Sequence, residues 1–217
     1  MKGLLIKDFQ LLKAQKSFFI VLIAVAVGMG LFSYDTSFIT GFLTFAVSLF
    51  TISTVSYDEF DNGNAFLFSL PISRTGYVME KYCFGMILGG GSWVLSAFMV
   101  LTAGFLKGNG LLADTLMTSL AVLPFMLIIL AVMLPFQLKF GGEKGRIAII
   151  GCVGILMLLG IIAVKAAAFM GIDAASLLVK LPPVSAGTLL AVAIAAALAI
   201  LAVSMKLSIA IVNRKEF

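Results

Sequence analysis

Residues 116–136 read LMTSLAVLPFMLIILAVMLPF, with no charged side chain from one end to the other. A hydrocarbon core about 30 Å thick takes roughly 20 apolar residues of helix to cross, and this stretch supplies them. Its apolarity is continuous, whereas a barrel strand alternates lipid-facing and lumen-facing positions. In lipid only a helix or a closed barrel can satisfy every backbone N–H and C=O, so the stretch is predicted to be a transmembrane helix.

The same pattern recurs on both sides of it, in Ser17–Tyr34, Ser37–Ser56, Cys83–Leu106, Ile147–Val164 and Val184–Met205, each without a charge. The six runs predict an all-α membrane protein of six transmembrane helices in a single domain, residues 1–217. Composition agrees: 62% of residues are hydrophobic and 12% charged, against roughly 45–50% and about 25% in soluble domains. The first run follows a long flank rich in Leu and Phe and no small-residue cleavage site follows it, so it is expected to be a genuine span and not a signal peptide. The two cysteines, Cys83 and Cys152, suggest neither a disulfide framework nor a metal site, and both are expected to be small buried hydrophobes.

An even number of spans puts both termini on one side. Lys2, Lys7, Lys13, Lys16, Arg74, Lys81, Lys139, Lys144, Arg146, Lys206, Arg214 and Lys215 flank the runs on that side, while Lys107 and Lys180 alone flank them on the other, with Lys165 set aside as near-membrane. Positive charge concentrates on cytoplasmic loops, so both termini are expected to be cytoplasmic in a multi-pass protein of the cell membrane. The net charge of +5 therefore calls for membrane lipid and no nucleic acid. The outer connections are short: Asp35–Thr36, Lys107–Thr115 and the apolar Lys165–Pro183, which could dip back into the bilayer edge as a half-helix.

Residues 1–16 set Leu4, Leu5, Phe9, Leu11 and Leu12 on one arc, with Lys2, Lys7, Gln10 and Lys13 mostly opposite; Asp8 and Gln15 interrupt the apolar arc. This pattern predicts an interfacial helix in the inner-leaflet headgroups, the alternative being a frayed terminus.

Residues 57–74, YDEFDNGNAFLFSLPISR, open a cytoplasmic segment, 57–81, that is acidic where a cytoplasmic loop is ordinarily basic. Phe60, Ala65, Phe66, Leu67 and Phe68 lie among Asp58, Glu59 and Asp61, giving a short amphipathic helix that Pro71 must end and after which Ser73 can cap the third span. Aromatics beside acids on a solvent-facing loop suit a protein partner's groove.

With its acidic pair, short apolar helix, Ser69-Leu70-Pro71-Ile72-Ser73-Arg74, then Tyr77 and Lys81-Tyr82, this segment resembles the loop between spans two and three of type-2 ABC transporter permeases. These are the six-helix membrane subunits of bacterial ATP-driven exporters. The resemblance implies a coupling helix between helices 2 and 3 that docks into a separate ABC ATPase subunit, with Asp58, Glu59, Phe60, Asp61, Phe66 and Leu67 at that contact. Phe60 stands where members of the family often carry a lysine. The resemblance further implies a second permease copy, as a homodimer or heterodimer, and ATP and Mg bound on the ATPase. Among such permeases the short, domain-free form is similar to exporters of amphipathic or antimicrobial peptides, including phenol-soluble modulins. A non-transporting peptide-immunity or scaffold protein, or a channel, is the alternative.

The chain carries no chemistry of its own by this reading. No GxxxxGK[ST] phosphate loop is present, and Gly141-Gly142-Glu143-Lys144-Gly145-Arg146 reads as a basic turn. Histidine is absent and no acid lies in any run, which removes the usual catalytic bases and an intramembrane proton relay.

Within the second run Ser37, Thr40, Thr44, Ser48 and Thr51 form a hydroxyl stripe. They are expected either to line a substrate path or to bond back to their own helix. Lys165 either snorkels to the outer headgroups or faces that path. Gly85 and Gly89 predict close helix packing in the third span, and Pro124 a kink in the fourth.

Overall fold

The computed structural model describes residues 2–32, 36–60, 63–107, 112–142, 144–145, 147, 151, 165 and 185–215. Every element among them is an α-helix: α1 Lys2–Ala14, α2 Lys16–Leu31, α3 Thr36–Glu59, α4 Gly63–Ser69, α5 Arg74–Lys107, α6 Leu112–Leu120, α7 Val122–Phe140 and α8 Ala186–Asn213. Four stretches, Ser37–Glu59, Arg74–Phe105, Thr115–Phe140 and Ala186–Asn213, are long and apolar enough to cross a membrane. The pair α1–α2, bent by 65° at the break between them, meets the same test only when its two helices are taken together as one span, which gives four spans or five. Six spans were expected; the run Ile147–Val164 and the connection Lys165–Pro183 lie outside the described residues, apart from Ile147, Gly151 and Lys165.

The bundle is organised around α5. It packs along α3 and against α8, while α7 packs on both α3 and α8. The main apolar core joins Val55 of α3, Tyr77, Val78 and Tyr82 of α5, Leu127, Leu130, Leu134 and Leu138 of α7, and Ala197, Leu201 and Val212 of α8, with Leu4 and Leu67 reaching in from α1 and α4. A second cluster sets Val47 and Phe50 of α3 on Phe84 and Leu88 of α5, covered by Leu5, Leu11 and Leu12 of α1 and Phe19 and Leu22 of α2.

The predicted glycine seam is real packing. A Cβ on Gly85 would lie 3.1 Å from Leu130 and 3.2 Å from Thr51, and one on Gly89 would lie 2.6 Å from Met126 and 3.0 Å from Ser48 Oγ. Glycine at these two positions lets α5 approach α3 and α7 closely, which is how helices associate where the solvent is as apolar as the side chains. The small residues of α5 thus meet the hydroxyl stripe of α3.

Both prolines of α6–α7 act through the carbonyl four residues back. Pro124 can neither donate to Leu120 nor clear its carbonyl, and the helix is interrupted at Ala121, just before the turn holding Pro124. Pro135 sits inside an unbroken α7, freeing the carbonyl of Ala131. The Ser204 hydroxyl of α8 donates to that carbonyl, the kind of replacement that makes proline tolerable in a membrane helix. Tyr82 extends this contact: its hydroxyl lies 2.6 Å from Ser204 Oγ and 2.8 Å from Ser208 Oγ. Since the single Ser204 proton goes to Ala131, Tyr82 donates to Ser204 and Ser208 to Tyr82, a chain joining α5, α7 and α8.

Cys83 departs from expectation. It is exposed on α5, because the buried face at this level is taken by Tyr82 and Phe84 on either side of it. Cys152 lies outside the described residues.

Candidate functional site

The segment 57–81 divides into an inner and an outer face. α3 runs on past the apolar run to Glu59, so its last turn carries Asp58 and Glu59 beyond the hydrocarbon stretch. A short helix, α4, follows and stops at Ser69, two residues before Pro71. Ser73 then opens α5: its hydroxyl accepts from Gly76 N–H at 3.0 Å and its carbonyl from Tyr77 N–H at 3.0 Å, the N-cap the sequence predicted.

The inner face is charged. Lys81, 0% exposed, spends all three ammonium protons: on Asp8 Oδ2 at 2.5 Å, Asp58 Oδ2 at 2.7 Å and Thr54 Oγ1 at 3.2 Å. Asp8, also 0% exposed, pairs in addition with Lys7 at 3.2 Å. Lys7 bridges to Asp58 Oδ1, and the Tyr77 hydroxyl donates to Asp58 Oδ2 at 3.2 Å. Glu80 is buried beside them, its carboxylate 3.8 Å from Lys81. Lys81, Asp8, Asp58 and the carboxyl group of Glu80, from α1, α3 and α5, therefore share one enclosed site that the partly exposed Lys7 closes at its edge. An isolated buried charge would cost several kcal/mol, so each member depends on the others.

Around this cluster further polar contacts bind the helix ends together. Arg74 donates to the carbonyls of Val212 at 3.2 Å and Asn213 at 2.8 Å, satisfying acceptors that the end of α8 leaves without intrahelical partners. Lys215 pairs with Glu59 at 3.3 Å. Glu59 also lies against Gly141, where a Cβ would meet its carboxylate at 3.0 Å; with φ of 82° this glycine ends α7 in a conformation other residues avoid. Gln137 donates to Ser56 Oγ at 2.9 Å, linking α7 to α3.

The outer face is aromatic. Phe60 and Phe66 are each 72% exposed, and Leu70 beside them is exposed as well. Leu67, the neighbour of Phe66, turns the other way and is buried in the main core. Phe68 packs edge-on against Tyr77, ring centres 5.5 Å apart, so α4 is pinned to α5 from beneath.

The six residues assigned to the coupling contact are thus separated by the fold. Asp58 and Leu67 point inward, Glu59 is held by Lys215 at the rim, and Phe60 and Phe66 point outward; Asp61 lies outside the described residues. Sequence reading missed Asp8, Glu80 and Lys81 as one cluster. The signal available was a carboxylate on the apolar arc of an amphipathic helix, a placement that a charge tolerates only when paired.

The hydroxyl stripe is buried in the single chain at Thr40, Thr44, Ser48 and Thr51, against α5 and α7. Ser48 donates back to Thr44 O at 2.7 Å. The hydroxyls of Thr44 and Thr51 make no hydrogen bond among the described residues, and Thr44 lines a small cavity of about 180 Å³ with Gly41, Phe45, Val122, Phe125, Met126 and Ile129. Lys165 is exposed.

Among known proteins, a family model described as ABC-2 family transporter protein matches residues 3–213. No curated protein and no solved structure matches.

Proposed function

The chain belongs to the ABC-2 family of transporter membrane proteins, a multi-pass transport subunit and not itself a catalyst, and from that premise we propose that it is the permease of an ATP-driven exporter in a bacterial cell membrane. Its termini are cytoplasmic. Two copies, identical or not, enclose the path, and each rests its α4 knob on a separate ABC ATPase subunit that binds ATP and Mg. The substrates are amphipathic or antimicrobial peptides or similarly apolar molecules.

One observation carries the coupling step: two phenylalanines stand out at 72% exposure, Phe60 just past the end of α3 and Phe66 on the seven-residue helix α4, whose other face is built into the bundle. Exposed aromatics held rigidly in this way are what a partner's groove buries at a hot spot. Phe60 and Phe66 make the contact, while Asp58, Glu59 and Leu67 hold the knob; Asp61 is assigned to the same contact from the sequence alone. When two ATPases close on nucleotide, a knob fixed to α1, α3 and α5 cannot swing freely, so its displacement moves the helices with it. The seam between α3 and α5 then opens and exposes Thr40, Thr44, Ser48 and Thr51 to the path. The hydroxyls of Thr44 and Thr51, without a hydrogen-bond partner among the described residues, gain water or substrate as partners, and Lys165 lies toward the outer end of the path.

The test is co-purification with the ATPase subunit and measurement of its hydrolysis after reconstitution. Phe60→Ser combined with Phe66→Ser should abolish association and leave a normally inserted protein. Unchanged capture of the ATPase by that double variant would sink the assignment.

A further inference from the structure

The bend between α1 and α2 encloses a slot of about 290 Å³ that the transport reading does not use. Phe9 and Leu12 of α1, Phe19 of α2, Leu43 of α3, and Ile87 and Gly91 of α5 are among its walls. Two of those walls are fixed: Phe9 sits edge-on to Phe84, ring centres 5.4 Å apart, and Phe19 to Phe50, 5.0 Å apart. The one hydroxyl in the lining, Ser92, donates to its own helix at Gly89 O, 2.9 Å away, so it offers no spare proton. A cavity of about half this volume with apolar walls stays dry and takes up a hydrocarbon.

The surroundings are cationic. Lys13 lies in the last turn of α1 and Lys16 opens α2, both exposed at the bend beside the lining residues Leu12 and Phe19. No acid occurs between Asp8 and Asp35, and Asp8 is consumed in the buried cluster. A hydrophobic slot under an interfacial helix, with two lysines at headgroup level, matches an acyl chain joined to a negative headgroup.

We infer that this slot is a lipid site, holding one acyl chain of an anionic glycerophospholipid from the inner leaflet with its headgroup at Lys13 and Lys16. The inference rests on the cytoplasmic placement of α1, and on neither the ATPase nor the substrate. The bound lipid fills the angle of the bend and fixes α1, whose other face carries Lys7 and Asp8 into the charged cluster.

Gly91 supplies the means to test it. A Cβ there meets nothing within 4 Å, and the same holds at Gly90, which does not line the slot. The permease is reconstituted into nanodiscs of phosphatidylglycerol and phosphatidylcholine in equal parts, extracted into detergent, and its retained lipid is counted by native mass spectrometry. The wild type should keep one phospholipid per chain, with phosphatidylglycerol preferred by about fivefold or more, the value of a single lysine near a headgroup. Gly91→Phe should lower retention by about tenfold or more, equivalent to losing fewer than two buried methylenes, while Gly90→Phe retains lipid as the wild type does. Lys13→Gln with Lys16→Gln should keep the lipid and lose the preference. A wild type that retains no phospholipid, equal retention of both headgroups, or retention in Gly91→Phe matching Gly90→Phe would each overturn the site. The Phe60→Ser, Phe66→Ser variant should retain lipid normally, so failure of the coupling reading and failure of the lipid site are told apart.

Discussion

The two faces of the segment between α3 and α5 invert the usual arrangement of a protein surface. Inward it carries charge, in Asp58 and Lys81; outward it carries Phe60 and Phe66. Charged side chains are rarely enclosed unless paired, and large apolar ones exposed together mark an interaction surface. The contrast teaches that charge in this segment holds the structure, and that its apolar residues are the ones left to recognise something else. A patch read from sequence as acidic and aromatic together is, in three dimensions, two separate devices placed back to back.

Perturbing the inner face should have the largest effect on stability. Lys81→Ala leaves Asp8 and Asp58 enclosed with only the partly exposed Lys7 as a shared cation, and breaking a buried pair from one side costs about 3–5 kcal/mol. Thermal or denaturant unfolding in detergent should show that loss; a melting point close to wild type would mean that the cluster is wet, and the inner face no different from the outer. Next in size, Arg74→Ala removes the donor at the end of α8 and should cost about 1 kcal/mol, visible as faster proteolysis or hydrogen exchange around 205–215. Replacing Glu59 by Gln breaks a pair with Lys215 that is partly exposed, worth about half a kcal/mol and screened by added salt. In contrast, salt should leave the effect of Lys81→Ala unchanged. Smallest of all, Phe66→Ser should shift stability by less than about 0.5 kcal/mol while removing ATPase binding. Were Phe66→Ser as damaging to folding as Lys81→Ala, the distinction between the faces would disappear.

Much of this was legible in the sequence wherever the determining interaction is local. Helix type and the longest spans follow from apolar runs, the end of α4 from Pro71, the start of α5 from Ser73, and the close approach of α5 from Gly85 and Gly89. What escaped detection is pairing at a distance. Asp8 and Lys81 lie 73 positions apart, and no periodicity within α1 or α5 names the partner. Phe66 and Leu67 are consecutive on one short helix, so only the direction of the bundle decides which of them is buried. The stripe on α3 and the glycines on α5 were each visible, but their meeting was not, because it depends on the register between two helices. The first span likewise looked complete as a run; its helix, Lys16–Leu31, is about 24 Å long at 1.5 Å per residue, short of a full crossing unless α1 is counted with it.

Arg74 waits for acceptors that lie 138 and 139 residues further along the chain. During synthesis α4 and the start of α5 leave the ribosome long before Val212 and Asn213 exist, so the base beneath Phe60 and Phe66 stays unfinished until α8 has emerged. A chain cut short before Val212 would therefore insert its first helices yet lack the contact that ties the start of α5 to the end of α8, and the knob proposed as the partner's seat would rest on an incomplete base.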